Sequence, residues 1–430
     1  MNESGFEAID YFRSNDFVAD PYPYYDHLRE RCPVHRESHH GVFMVTGYEE
    51  VVAVEADNKV FSACNQVSGP FAEFPVPLEG DDVSPIIEQH RGQLPMGNNI
   101  LTADQPRHTA LRSLAMRHFT PKRLRETEPF MQSIADKLID KFATRGECEL
   151  ISDFSGPFSL LNICALLGVP EPDHAEFLEQ LLGPFRDRGL GSTSAPTPAQ
   201  PFGFAHARFR SYVEDRRANP RDDILTSVAT TPFPDGTMPD VDDVVMLAST
   251  LFVAGTGTTT GMLATALRIL GENPEIQQLL RDEPEQIPNF VEETLRIDSP
   301  VKGAFRLSRV AKTVAGVDLP AGSHVMLVFA GANHDPRRFE KPDEFRIDRP
   351  NSREHVSFGR GIHACAGAPL ARAEGQVAIR RLLDRLDDIR VSEDKHGRVG
   401  ERTFEYLPTY QLRHLDRLHL DFTPSNTTLT

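Results

Sequence analysis

The chain has 430 residues, of which 39% are hydrophobic and 25% are charged, and its formal net charge is −17. This is the composition of an ordinary globular protein, and the acidic excess argues against nucleic acid as a partner. No stretch approaches the ~20 consecutive apolar residues of a membrane span, and the first residues carry no signal pattern, so we expect a cytoplasmic protein with no membrane partner. The five scattered cysteines lack CxxC spacing, which argues against disulfide and zinc sites.

The first half of the chain mixes several predicted elements. Residues 42–46 alternate as a strand does, which predicts a small sheet near the N-terminus. From Glu128 to about Leu182 the apolar residues recur at helical spacing. The run from Gly189 to Gly203 interrupts this pattern with Gly, Ser, Thr and Pro, and it is interpreted as a mobile lid over an entrance.

The segment from Gln105 to Arg125 is basic in an otherwise acidic chain. Local positive charge favours the docking of an acidic partner, although a solvated helix face gives the same pattern. The segment contains no Asp or Glu, and its basic residues are Arg107, Arg112, Arg117, Lys122, Arg123 and Arg125.

A long helix is predicted in the second half of the chain, from Val241 to about Leu270, with Asp240 as its N-cap. At 1.5 Å per residue it would be roughly 45 Å long, enough to cross a whole domain. Its centre, residues 254–260, reads AGTGTTT, and glycine and threonine are poor interior helix formers. The threonine hydroxyls can bond back to carbonyls and open the helix, while the glycines let a flat ligand or O₂ approach.

Two kinds of element are predicted after this helix. A shorter helix is expected over residues 285–297, and it places Glu293 and Arg296 on one face, three positions apart. Strands are expected over residues 313–319 and 324–329, joined by a Pro-Ala-Gly turn.

The most informative run is FGRGIHACAG at residues 358–367, which places one cysteine on a glycine-punctuated loop. An amphipathic helix is predicted directly after it, so Cys365 would lie at a helix N-terminus, where free N–H groups lower the pKa of a thiol. Such a loop can hold a haem iron by its thiolate, with the Phe358 ring beside the sulfur. The alternative is a buried free cysteine beside an incidental histidine.

This loop, followed by Leu370-Ala371-Arg372, resembles the signature of the cytochrome P-450 superfamily, the haem-thiolate monooxygenases, and the resemblance extends over about residues 20–420. It implies a mainly α fold with small β-sheets, shaped as a triangular prism. It also implies haem b as cofactor, Cys365 as the iron ligand, and insertion of one oxygen atom of O₂ into a C–H or C=C bond. Because no linker divides the chain, we expect one domain over residues 1–430, with its β-rich part at about 25–60 and 300–330.

The resemblance also implies roles for individual residues. Thr258, with Thr256 and Gly257 beside it, would be the catalytic part of the central helix, supporting proton movement to bound O₂. Glu293, Arg296 and Arg349 would form a buried structural ion network. The residues expected to contact the haem besides Cys365 are Ala254, Gly255, Phe358 and Gly359, and those expected to bind its propionates are His108, Arg112, Arg306 (with Arg309 as its competitor) and His355. His363 is interpreted as a structural loop residue.

Gly257 departs from the family pattern, which has Asp or Glu immediately before the threonine. Without that acid, protons could be delivered by neighbouring threonines, by ordered water or by a hydroxyl of the substrate. Some relatives without this acid carry out peroxide-driven oxidation or nitric oxide reduction, so these activities are alternatives. A haem-thiolate sensor without turnover and a hydrolase with Cys365 as nucleophile are the others.

The pocket is expected to be apolar, which indicates a lipophilic substrate such as a terpenoid, a steroid or a fused aromatic, although each residue could equally be core. The residues predicted to line it are Phe71, Phe74, Val76, Met96, Ile100, Val253, Val301, Ala304, Phe305 and Leu407. The chain has no flavin or iron–sulfur motif, so electrons would come from NAD(P)H through a reductase and an acidic ferredoxin. The ferredoxin would dock near Arg107–Arg125 and Arg360, on a monomeric enzyme.

Overall fold

The computed structural model describes residues 6–182, 191–194 and 203–425. Its helices are α1 Tyr22–Arg31, α2 Tyr48–Ala56, α3 Ser84–His90, α4 Arg107–Met116, α5 Pro121–Ile139, α6 Gly156–Leu167, α7 His174–Leu182, α8 Gly203–Ala218, α9 Ile224–Thr230, α10 Val241–Glu272, α11 Pro274–Asp282, α12 Ile287–Ile297, α13 Phe329–Ala332, α14 Ala368–Arg385 and α15 Glu393–His396. Its strands are β1 Val34–Arg36, β2 Phe43–Val45, β3 Phe61–Ser62, β4 Glu147–Glu149, β5 Ala304–Ser308, β6 Lys312–Val314, β7 Val317–Leu319, β8 His324–Leu327, β9 Leu386–Val391 and β10 His419–Pro424.

The long predicted helix is present as α10, which runs without a break and packs against α6, α8 and α14. Asp240 occupies the N-cap position, but its side chain makes no capping hydrogen bond. Thr256 and Thr258 donate hydrogen bonds to the carbonyls of Phe252 and Ala254, at 2.9 and 2.8 Å. The predicted back-bonds therefore form, and the helix remains continuous around them.

The core of the helical part surrounds α10. Phe252 on α10 lies 4.6 Å from the ring centre of Phe177 and 5.4 Å from that of Phe209, which joins α7 and α8 to the long helix. Gly375 on α14 allows close approach, because a Cβ at that position would lie 2.9 Å from the methyl carbon of Met262. Apolar burial of this kind stabilises the packing of α10 against its neighbours.

A five-stranded sheet in the order β1-β2-β8-β5-β3 forms the β-rich part. β2 pairs with β8 in parallel, with Phe43 opposite Val325, and the other pairs are antiparallel. The single strand predicted over residues 313–319 is wrong. The chain reverses at Ala315 and Gly316, both at positive φ, so this stretch forms the separate hairpin of β6 and β7.

A second sheet lies within the part of the chain expected to be helical. β10 pairs with β4 and β9, with Leu420 opposite both Cys148 and Val391. The helical spacing read from Glu128 onward is thus interrupted at β4, where a buried cysteine sits between two more accessible glutamates. Three residues of alternating burial are too few to show as a strand against the flanking helical pattern.

The predicted ion network is present and fully buried. Arg296 donates two hydrogen bonds of 2.8 Å to the Glu293 carboxylate, and Arg349 donates a third of 2.8 Å. Arg296 also donates to the carbonyl oxygen of Asn333 at 2.9 Å, and the Asn333 side chain bonds Ser357 at 2.8 Å. The network therefore supports the start of the loop that carries Cys365.

The N-terminal segment meets the loop around Tyr410 beside the five-stranded sheet. The Tyr11 hydroxyl lies 2.6 Å from that of Tyr25 and donates to the carbonyl of Tyr410 at 3.0 Å. Nearby, Arg413 forms a buried ion pair with Asp298. These contacts tie the N-terminal segment to the loop that precedes β10.

The predicted lid, Gly189 to Gly203, lies mostly outside the described residues. Its described part, residues 191–194, is attached to the same C-terminal loop, since the Thr193 amide donates to the Pro408 carbonyl at 3.0 Å. Among the described helices, α10 alone has the length and apolar composition of a membrane span, and 61% of its apolar window is buried inside the protein.

Candidate active site

Cys365 opens onto an internal cavity of about 460 Å³. Its loop is shaped by Gly359 and Gly361, at φ values of +63° and +65°, and by a 2.7 Å hydrogen bond from the Cys365 amide to the carbonyl of Phe358. A Cβ at position 361 would lie 2.5 Å from the carbonyl oxygen of Glu55, so only glycine fits there. The loop thus presents one sulfur atom to the cavity, as predicted.

The surroundings of the Cys365 thiol only partly match the prediction. The amides of Gly367 and Ala368, at the start of α14, do donate hydrogen bonds to the sulfur, and Arg112 and Arg372 lie near it. Burial outweighs these groups, so the pKa of the thiol is raised, and the expected lowering is wrong for the protein alone. A bound metal cation deprotonates a coordinating thiol, so an iron held by Cys365 would supply what the helix terminus does not.

The centre of α10 forms one wall of the cavity. Ala254, Gly255, Thr256, Gly257 and Thr258 all line it, as the sequence predicted. The Thr258 hydroxyl donates to its own helix, and the lone pairs of its oxygen remain able to accept from a group in the cavity. The pattern of small residues therefore places a hydroxyl and an open stretch of helix surface in the same cavity as Cys365.

One end of the cavity is rich in hydrogen-bond donors. His108, Arg112, Arg306 and His363 line it, and the ring centres of His108 and His363 lie 4.2 Å apart. Both ring nitrogens of His108 and Nε2 of His363 are buried without a hydrogen-bond partner among the described residues. Burial lowers the pKa of His108 to about 4, and that of His363 falls further. Buried donors left in this state indicate a ligand with acceptor oxygens, such as the carboxylates of haem.

Two sequence predictions about histidines are corrected here. His355 does not line the cavity, since its Nε2 bonds Glu292 at 3.1 Å and its Nδ1 accepts from the Ser357 amide at 3.2 Å. His363, expected to be only structural, lines the cavity instead. Its position two residues before the cysteine excluded joint iron ligation, but that spacing does not prevent the ring from binding a carboxylate farther away.

The choice between Arg306 and Arg309 is supported by the geometry. Arg306 lines the cavity, and its Nη1 donates to Gln66 Oε1 at 2.9 Å. Arg309 lies outside the cavity lining and donates to the Asp104 carboxylate at 2.5 Å. Arg309 is thus neutralised within the protein, whereas Arg306 faces the cavity.

The predicted pocket residues divide into two groups. Ile100, Val253, Val301, Ala304 and Leu407 line the cavity. The five others lie outside the cavity lining, and they are Phe71, Phe74, Val76, Met96 and Phe305. The three phenylalanines pack into neighbouring clusters, Met96 packs on Val67, and Val76 is exposed to solvent.

The basic segment is also divided by the fold. Arg107 forms an ion pair with Asp243, and Arg112 points to the cavity. The residues of this segment that are exposed are Arg117, Lys122, Arg123 and Arg125.

Sequence reasoning missed three titratable residues that line the cavity. Glu374 is buried on α14 and accepts a hydrogen bond of 3.1 Å from Thr259, and burial raises its pKa to about 8. His414 packs on α10, where a Cβ at Gly257 would lie 3.7 Å from its ring. Glu55 lies at the end near Arg306. The sequence did contain one signal for Glu374. Its carboxyl group stands four residues after Leu370, on the buried face of the same helix.

Comparison with known proteins shows the family of this chain. The family model for cytochrome P450 matches residues 209–396. "Cytochrome P450 144" of Mycobacterium tuberculosis is 33% identical over 419 residues, which is 95% of this chain and 90% of the relative. The chain belongs to the cytochrome P450 superfamily.

Solved P450 structures resemble the whole chain. The substrate-free Mycobacterium marinum enzyme CYP150A6 is 47% identical and has a TM-score of 0.90. The match covers 98% of this chain and 100% of that one. CYP109E1 of Bacillus megaterium, solved with testosterone, is 25% identical with a TM-score of 0.76, over 94% of this chain and 99% of that one. The mainly α fold with small sheets is thereby confirmed.

P450s bind haem b through a cysteine thiolate, and the cavity of this P450 fits that group. Cys365 would hold the iron, and the unpartnered His108 and His363 would receive the carboxylates together with Arg112 and Arg306. The chain is a haem-thiolate monooxygenase, and it incorporates oxygen from O₂ into an organic substrate.

Replacing Arg306 with leucine is expected to weaken haem retention, because a carboxylate loses a charged donor at the buried end of the cavity. We expect haem transfer to excess apomyoglobin to be faster by roughly 10-fold or more. Arg309→Leu serves as the matched control, since Arg309 already pairs with Asp104. Equal transfer rates for the two variants would remove Arg306 from the haem site.

Proposed function

We propose that this P450 oxygenates a lipophilic small molecule, such as a terpenoid, a steroid or a fused aromatic. The observation that carries this proposal is the apolar wall around Cys365, formed by Ile100, Leu101, Val253, Val301, Ala304 and Leu407. Apolar walls with few polar groups bind substrates by burial rather than by ion pairing. The relative solved with testosterone lends support to the steroid class.

When bound, the haem supplies the activation of O₂, and a thiolate ligand favours O–O cleavage. The chain's own part is to hold substrate and protons in place. The apolar wall excludes water and positions a C–H bond beside the α10 segment, and the small residues Ala254 and Gly255 leave room there. Thr258 then accepts a hydrogen bond from a group in the cavity. To pass a proton toward the cavity centre, its hydroxyl turns from the Ala254 carbonyl, and the proton given up is replaced from a neighbouring donor.

Proton supply to Thr258 has two candidate sources in the absence of an acid at position 257. Glu374, protonated at neutral pH, is hydrogen-bonded to Thr259, next to Thr258 in sequence. His414 lies against Gly257 from the C-terminal loop. Either group can hold a proton beside the cavity, so the reaction with O₂ does not need a carboxylate on α10 itself.

We propose that electrons come from NAD(P)H through a reductase and an acidic ferredoxin. The docking surface would be the exposed basic residues at the end of α4 and the start of α5, namely Arg117, Lys122, Arg123 and Arg125. Arg112 belongs to the same basic segment and lies near Cys365, so this part of the chain approaches the iron ligand. The proposed enzyme is monomeric and cytoplasmic.

Titration of the ferric protein with terpenoids, steroids and aromatic hydrocarbons tests the substrate class. A saturable blue shift of the Soret band, followed by product formation with ferredoxin, reductase and NADPH, is expected for one class. Product formation should also weaken as salt is raised, because the docking charges are exposed. If imidazole binds but no compound of the panel shifts the Soret band, the proposed substrate class is contradicted.

Peroxide-driven oxidation is the second candidate, and Gly257 is the observation that favours it. Oxidation by H₂O₂ needs no external electrons and fewer delivered protons. Product formed from H₂O₂ faster than from NADPH with the redox partners would favour this second function.

Replacing Thr258 with valine tests the assigned proton transfer. We expect the rate of product formation to fall roughly 10²-fold, while NADPH oxidation continues and H₂O₂ accumulates. Thr265→Val is the control, because Thr265 is buried on the same helix and lies outside the cavity lining. Unchanged product per NADPH in Thr258→Val would show that this hydroxyl has no part in the reaction.

A further inference from the structure

Glu55 is a buried carboxyl group in the haem cavity that the proposed reaction does not use. It lies on α2, its residue is 5% exposed, and it lines the cavity near Arg306. Its place is set by the haem loop, since a Cβ at Gly359 would lie 3.0 Å from Glu55 Oε1. A carboxyl in this position is held against the same loop that carries Cys365.

The carboxyl is only weakly compensated. Arg306 Nη2 lies 3.9 Å from Glu55 Oε1, which is too far for a hydrogen bond, and the Arg360 amide donates one. Glu55 Oε2 is buried without a hydrogen-bond partner among the described residues. Arg306 Nη1 is already bonded to Gln66 and to the Phe305 carbonyl, so only its Nη2 side is left for a second acceptor.

The charges facing Glu55 come from two neighbouring elements. Arg306 belongs to β5 and Arg360 to the haem loop, and both favour the carboxylate, whereas burial favours the neutral acid. Burial prevails and raises the pKa of Glu55 to about 7. His108 and His363 line the same end of the cavity but are held neutral by burial, and they add no positive charge near pH 7.

A haem carboxylate bound at this end would share Arg306 with Glu55. Two carboxyls around one guanidinium do not both ionise easily in a buried site, so one of them holds a proton near neutrality. An electron added to the iron brings further negative charge into the same low-dielectric cavity and favours that proton.

We propose that Glu55 couples reduction of the haem iron to uptake of a proton from solvent near neutral pH. In the step, one electron from the redox partner would reduce the iron held by Cys365, and Glu55 Oε2 would gain one proton from solvent, so the charge of the cavity would be unchanged. The proposal rests on haem being held with its carboxylates at the Arg306 end. By linkage, the reduction potential falls as pH rises between the Glu55 pKa values of the oxidised and reduced protein, and it is flat outside that window.

Spectroelectrochemical titration of the Soret band at a series of pH values tests this coupling. In the wild type the equilibrium constant for reduction should change by up to tenfold per pH unit, which is 59 mV for one electron. Glu55→Gln should lose this dependence. Glu49→Gln is the matched control, because Glu49 is exposed on the same helix. A full pH dependence that persists in Glu55→Gln would overturn the proposal.

Glu374 and the haem carboxylates are the competing proton acceptors, so two further measurements separate them. Loss of the dependence in Glu374→Gln but not in Glu55→Gln would assign the proton to α14 and overturn the proposal. In wild-type protein labelled with carboxyl-¹³C glutamate and loaded with unlabelled haem, the reduced-minus-oxidised infrared spectrum should contain a carboxylic-acid band shifted by the label, which a haem carboxylate would not show. A protein without a Soret band would contradict haem binding itself, and that outcome is distinct from a flat potential.

Discussion

Replacing Cys365 with histidine is expected to abolish oxygenation while haem is still bound. The band of the reduced, carbon-monoxide-bound protein should move from the position of a haem-thiolate to that of a histidine-ligated haem. The physical reason is that imidazole is neutral and does not push electron density onto the iron as a thiolate does. The larger imidazole side chain can be accommodated, because the side chain at position 365 faces the cavity.

Cys32→Ser is the control for this change, since Cys32 lies outside the cavity lining and is also partly accessible. It should keep both the thiolate band and full turnover. A Cys365→His variant that retained the thiolate band would exclude Cys365 as the ligand. A colourless wild-type protein with hydrolase activity would instead favour Cys365 as a nucleophile.

Glu293→Ala is expected to have the largest effect on stability. Glu293 is fully buried and accepts hydrogen bonds from Arg296, from Arg349 and from the Arg346 amide, so its removal leaves two guanidinium groups without a counter-charge. Breaking a buried ion pair in this way costs about 3–5 kcal/mol in the free energy of unfolding. Because the network also holds Asn333, haem binding should weaken together with stability.

Urea denaturation followed by circular dichroism measures this loss. Glu344→Gln is the control, because Glu344 pairs with Lys341 at the same i,i+3 spacing and both side chains are more than half exposed. Its effect on the free energy of unfolding should be within about 1 kcal/mol. Similar denaturation midpoints for the two variants would show that the buried network is not a folding determinant.

Features encoded by local spacing could be predicted from the sequence. The Cys365 loop, the threonines of α10 and the Glu293–Arg296 pair each depend on residues a few positions apart, and all have the predicted arrangement. A glycine pattern or an i,i+3 pair carries its own geometry, because backbone angles and helical periodicity are local properties.

Features that depend on distant contacts could not be predicted in the same way. Phe305 is a large apolar residue of the kind that lines pockets. Phe12 of the N-terminal segment and Tyr410 of the C-terminal loop pack against it, so it belongs to another cluster. Likewise, the resemblance implies a haem contact for His355, and nothing in the local sequence shows that Glu292 bonds it instead. The predicted lowering of the Cys365 pKa was wrong for a related reason. Burial is set by the whole fold, and it raises the pKa by more than the two amide donors lower it.

The contact between Tyr11 and Tyr410 has a consequence for biosynthesis. Gln411 and Leu412 belong to the cavity wall, and the neighbouring Tyr410 is anchored by Tyr11. Chains are made from the N-terminus, so Gln411 and Leu412 leave the ribosome after nearly all the other residues of the cavity wall. The half-made enzyme therefore has an open cavity however well its first helices have folded, and the pocket is complete only once Leu415, the last of its described lining residues, has been added.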